Sequence, residues 1–139
     1  MSMINNEERI EVKQIIERAL SRVEEALKHM NSAKSWGSFD LWGGGFVSSY
    51  FKTSKVKRAE VEIDLLQDEL SKLNIYSDDI IDVLDAYESM TTLQQTLDIG
   101  LDDIYTNWKS LEQIKRNIEF LEELQESLVD LDNSIKDKF

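Results

Sequence analysis

The sequence predicts an all-α protein, an up-and-down bundle of about four long helices, and three observations carry that prediction. Apolar residues recur in steps of three and four along most of the 139 residues, the spacing that lines one face of an α-helix. Proline, which breaks helix interiors, is absent. Hydrophobic residues make up 41% and charged residues 32%, a balance that favours a folded chain with a real core over a disordered one. The length fits one domain, residues 1–139.

Each helix has its own signal. Val12, Ile16, Ala19, Val23, Ala26, Met30 and Ala33 alternate steps of four and three without a miss, and Leu20 and Leu27 widen the stripe. Asn5 stands three residues before Glu8, a capping arrangement. Helix one is therefore expected over about residues 6–34, on the order of 40 Å long. Residues 35–45, Ser-Trp-Gly-Ser-Phe-Asp-Leu-Trp-Gly-Gly-Gly, break the pattern and are expected to form a loop. Phe46, Val47, Tyr50 and Phe51 can add a helical turn or two. Val56, Ala59, Ile63, Leu66, Leu70 and Leu73 then mark helix two, which is weakest around Lys52–Ser54 and ends near residue 73.

After a short connection, Ser77 is the expected N-cap of helix three, and Asp78 and Asp79 suit the positive end of its dipole. That helix carries Ile80, Val83, Tyr87, Met90, Leu93 and Leu97, and Gly100 ends or kinks it. The last helix is expected from about Leu101, carrying Ile104, Trp108, Leu111, Ile114, Ile118, Leu121, Leu124, Leu128, Leu131 and Ile135. It outruns the others, so its end is expected to project or to pair with another chain. The three- and four-residue steps favour shallow, coiled-coil-like crossings.

Composition excludes several function classes. Without cysteine there is no disulfide, no thiolate nucleophile and no thiolate metal site. The net charge of −12 is unevenly spread, +3 over residues 1–58 and −15 over residues 59–139. Such an acidic surface repels nucleic acid and anionic lipid, so neither is an expected partner. The amino terminus lacks the basic start and apolar run of a secretory signal. The least polar stretch, Phe39–Phe51, falls far short of the roughly 20 apolar residues that span a bilayer. A cytoplasmic location without membrane association is the expectation.

The glycine–aromatic segment is the one feature beyond ordinary bundle sequence. Its candidate binding residues are Trp36, Phe39, Asp40, Trp42, Gly43, Gly44 and Gly45, with Lys52 following. Glycine permits positive φ and close backbone approach, to a ligand or to the protein's own helix ends. Two readings stand: an internal plug in which the indoles close one end of the bundle, which the usual burial of large aromatics favours, and a recognition loop. A phosphate-cradling loop is disfavoured, because such loops place a lysine directly after the last glycine; here Phe46 stands there.

Other constellations point to no chemistry. Lys52, Lys55, Lys57 and Arg58 fan around a helix, a layout that favours a solvated cluster balancing the acidic helices over a site for an anion or acidic peptide. His29 is the only histidine and has no Glu-x-x-His spacing of the kind di-metal bundles use. The acidic runs do not match a calcium-binding loop, and one histidine without cysteine offers no nucleophile–base pair. Neither a metal, a cofactor nor an enzymatic activity is expected.

The stretch Trp36-Gly37-Ser38-Phe39-Asp40-Leu41-Trp42-Gly43-Gly44-Gly45, followed by Lys52, Val56 and Ala59, resembles a family of small helical proteins of Gram-positive bacteria of the Listeria and Bacillus kind. The shared motif covers about residues 35–59. The resemblance implies a helical bundle and brings no activity. Where many members of that family carry a histidine–serine pair after the lysine, this chain has Thr53-Ser54, so a role for that histidine does not transfer. The expected function is a non-catalytic interaction or scaffold role with a protein partner or a second copy. The alternative is a small-molecule or anion-binding protein that uses the loop end.

Overall fold

The structure is a computed structural model that describes residues 5–41, 46–82, 86–106 and 111–136; within these, side chains are described for 5–35, 56–81, 86–98 and 112–136. Among the described residues the protein is all helical, with five helices: α1 Asn6–Leu41, α2 Phe46–Ile75, α3 Ser77–Asp82, α4 Tyr87–Thr106 and α5 Leu111–Ile135. Helix three of the sequence reading is thus two helices, and the expected count of four becomes five.

α1 begins where the sequence places it. The Glu8 amide donates to Asn5 Oδ1 at 2.8 Å, and the Arg9 amide donates to the Asn5 carbonyl at 3.0 Å, so Asn5 caps the first turn. The helix then continues past residue 34, through seven residues expected to be loop, to Leu41. Propagation accounts for this: each residue added to a nucleated helix gains one hydrogen bond, whereas a single interior glycine such as Gly37 costs only about 1 kcal/mol. Ser35 also turns its hydroxyl back to donate to the Asn31 carbonyl at 3.2 Å, staying within the helix.

α2 runs unbroken from Phe46, through the weak stretch at Lys52–Ser54. Its end tightens where the Tyr76 amide donates to the Leu73 carbonyl, and α3 starts at once, with the Ile80 amide donating to the Tyr76 carbonyl at 2.8 Å. Tyr76 is therefore the residue that caps α3, one position before the expected Ser77.

The break between α3 and α4 resets the helical phase. The Ala86 amide donates to the Ile80 carbonyl at 3.2 Å, and the Ala86 carbonyl accepts from Met90 as α4 begins. A continuous helix would bury Tyr87 with Ile80 and Met90; instead Ala86 is buried and Tyr87 is 61% exposed. Gly100 neither ends nor starts a helix, because α4 carries through it to Thr106. The last helix accordingly starts at Leu111, ten residues later than expected from the sequence, and has 25 residues against 36 in α1. Within the described residues α5 does not project: Ile135 is fully buried.

The core is the set of stripes read from the sequence. The seven α1 positions Val12, Ile16, Ala19, Val23, Ala26, Met30 and Ala33 are fully buried and joined by Ile15; of the two that widen the stripe, Leu27 is buried and Leu20 is partly buried. Val56, Ala59, Ile63, Leu66, Leu70 and Leu73 of α2 meet them, as do Ile114, Ile118, Leu121, Leu124, Leu128, Leu131 and Ile135 of α5. α1 packs on both α2 and α5, α5 also packs on α4, and α3 bridges α4 and α2.

Direction follows from the cross-helix contacts. Glu11 meets Tyr76, Arg18 meets Glu69 and Arg22 meets Glu62, so α1 and α2 are antiparallel. Ser89 meets Ser134 and Thr96 lies by Ser127, so α4 and α5 are antiparallel as well. Gln94 donates to Ser77, and α4 then rises beside Asn74, Ser71 and Gln67 of α2. The α1–α2 and α4–α5 connections consequently lie at the same end of the molecule.

Candidate functional site

The end that carries both connections gathers the residues singled out in the sequence. Trp36, Phe39 and Asp40 occupy the last two turns of α1, and Lys52 sits in the second turn of α2. Their side chains, and Trp42 with Gly43, Gly44 and Gly45 altogether, lie outside the described residues. The antiparallel α1–α2 pair brings the two helix ends together. The topology adds what the sequence reading of this segment overlooked: α4 ends and α5 begins at this same end, bringing Tyr105 of α4 to it, while Trp108 lies outside the described residues. With Trp36, Phe39, Phe46, Tyr50 and Phe51, the helix ends meeting here hold six of the chain's twelve aromatic residues. Only the pairing of α4 with α5 could reveal that, since some 60 residues of sequence separate the two groups.

The opposite end exposes Ile10, Ile75 and Tyr87 and carries a well-defined side-chain hydrogen bond between α1 and the α2–α3 junction. The Tyr76 hydroxyl donates to Glu11 Oε2 at 2.6 Å. That bond holds the phenol neutral, and with partial burial and the charges of Glu11, Glu8 and Asp79 it pushes the Tyr76 pKa up to about 12.

Along the α1–α2 seam, Glu69 is buried and accepts from Arg18 Nε at 3.1 Å, with Lys72 Nζ 3.7 Å away. Arg22 pairs with Glu62 at 3.0 Å. The cations balancing acidic α2 thus come from α1 and from α2 itself, whereas Lys57 and Arg58 stand exposed. Lys52 and Lys55 have side chains outside the described residues.

Between α4 and α5 runs a groove of about 450 Å³ lined by Glu88, Ser89, Thr92, Ser127, Asp130, Asn133 and Ser134. Its hydroxyls are ordered in a chain. Ser134 donates to the Asp130 carbonyl, leaving Ser89 to donate to Ser134 at 2.6 Å. Thr96 donates to the Thr92 carbonyl, leaving Ser127 to donate to Thr96 at 3.4 Å. The one histidine, His29, lies on α1 and does not line this groove, whose carboxylates are Glu88 and Asp130. Among the described residues no group of three or more histidines or carboxylates could hold a metal ion. Nor, among them, is any helix long and apolar enough to cross a membrane.

No known protein family, curated protein or solved structure matches the chain.

Proposed function

We propose that this chain is a non-catalytic interaction or scaffold protein, built as an up-and-down helical bundle whose aromatic end meets a protein partner or a second copy. The observation that supports it is the convergence of the α1–α2 and α4–α5 connections, with their aromatic residues, at one end. Large aromatics concentrated on one surface are the usual anchors of protein interfaces. In this reading the protein works in the cytoplasm, without nucleic acid, membrane, metal or cofactor. The likeness of Trp36–Gly45 to the small helical proteins of Gram-positive bacteria belongs to the same proposal. The test is a comparison of wild type with a Trp36→Ala/Phe39→Ala variant of unchanged helical content, by light scattering and by crosslinking in cells of the native host. Loss of a specific self- or partner complex in the variant supports the reading, and identical complexes in both overturn it.

A second reading is that the same end binds a small anion. Its support is local: α2 starts at Phe46, directly after Gly45, and helix N-termini favour anions. Lys52 would add a positive charge. A thermal-shift series with inorganic phosphate, nucleotides and carboxylates decides it, because a ligand of the native state raises the melting temperature by mass action.

A further inference from the structure

We infer that α3 and the first half of α4 form an arm that opens as a unit from a more stable core of α1, α2 and α5. Four observations converge on this segment. Its seam with α5 adds two hydroxyl pairs, Ser89 with Ser134 and Ser127 with Thr96, to the buried Met90 and Leu93, where the α1–α2 and α1–α5 seams rest on long aliphatic stripes. The Ser89–Ser134 pair is exposed and exchanges readily for water, so it contributes little net cohesion.

Between Tyr87 and Asp98 only Met90 and Leu93 are buried, whereas the facing stretch of α5 buries Leu124, Leu128, Leu131 and Ile135. Open grooves flank α4 on both sides, about 450 Å³ against α5 and about 490 Å³ against α2. Finally, Tyr76 interrupts the helices between α2 and α3, giving the backbone a place to rotate at the start of the arm without breaking a helical ladder.

Local opening follows low apolar contact and solvated hydrogen bonds, and this segment has both. Opening uncovers the part of the α5 apolar stripe that α4 covers, a surface separate from the aromatic end. The inference therefore stands or falls independently of the proposed partner site.

Residue-resolved amide exchange of the wild-type protein in native buffer tests it. Amides of Leu93–Asp98, beyond the unbonded first turn of α4, are expected to exchange at least about tenfold faster than those of Leu121–Leu131, by a sub-global route. A common rate for both stretches overturns the inference. A Ser89→Cys/Ser134→Cys variant adds a second readout. Its oxidised form is expected to slow exchange in α4 toward the α5 rate, with α1 unchanged from the reduced form. Equal slowing of all helices would mean that α4 opens only with the whole molecule, which also overturns the inference. If that variant fails to fold, the wild-type rates decide alone.

Discussion

A double-mutant cycle on Arg18 and Glu69 probes the α1–α2 pairing at its best-defined contact. The atoms are 3.1 Å apart, with the arginine side chain 45% exposed and the glutamate 12% exposed. At that distance two unit charges attract by about 5 kcal/mol at an effective dielectric of 20 and by about 1 kcal/mol in bulk water. Arg18 is nearly half in solvent, so the water-like limit governs, and the expected coupling is about 1 kcal/mol at low salt. It should fall by more than half in 1 M salt, where the screening length shrinks to about 3 Å. Glu69→Ala is expected to cost more than Arg18→Ala, because Glu69 also faces Lys72 at 3.7 Å, whereas its loss leaves both cations unpaired. Urea unfolding of wild type, both single variants and the double variant gives the coupling directly. A coupling within about 0.3 kcal/mol of zero at low salt would refute the pairing and the helix register drawn from it. A coupling that ignores salt would refute the claim that solvent sets its size.

Three further outcomes follow from particular positions. Gly100→Ala is expected to stabilise by about 0.5–1 kcal/mol, because the residue lies inside α4; a glycine ending a helix in the left-handed region would give destabilisation instead, and the melting temperature separates the two. Leu121→Ala, at a fully buried site, is expected to cost about 2–5 kcal/mol, while Tyr87→Ala at an exposed one should stay within about 0.5 kcal/mol; a reversed order in urea titrations would restore the continuous helix three. The raised pKa of Tyr76 means that the bond of its neutral phenol to Glu11 contributes stability below the ordinary tyrosine value of 10.0 and loses it as pH rises through about 12. Tyr76→Phe should remove that part of the stability lost between pH 10 and 12, and an unchanged alkaline profile would show that the bond does not form.

Stripes were the legible part of this protein. Val12 to Ala33, Val56 to Leu73 and Ile114 to Ile135 announce their burial through spacing alone, and all are buried. Helix ends were harder to read, because the energies that decide them are small. Gly37 and Gly100 each weaken a helix by about 1 kcal/mol, which the surrounding hydrogen-bond ladder overrides, so both read as stops yet stand inside α1 and α4. The break before Ala86 has no glycine or proline to announce it, and its consequence, the outward turn of Tyr87, follows from phase and not from residue type. Of the candidate site, spacing supplied the segment from Trp36 to Lys52. It could not supply Tyr105, whose place depends on the direction in which α4 pairs with α5, and the spacing of Met90, Leu93 and Leu97 gives a helix face without its partner.

The convergence of the two connections at one end is tested most directly by a single distance. The chain has no cysteine, so Ser38→Cys/Thr106→Cys places spin labels cleanly near the ends of α1 and α4, and pulsed electron–electron resonance reads their separation. Helices in contact lie about 8–10 Å apart, so labels at the same end, on helices that both pack on α5, are expected within about 25 Å of each other. A separation near 50 Å, about the length of α1 at 1.5 Å per residue, would put the connections at opposite ends and dissolve the aromatic end on which the proposed function rests.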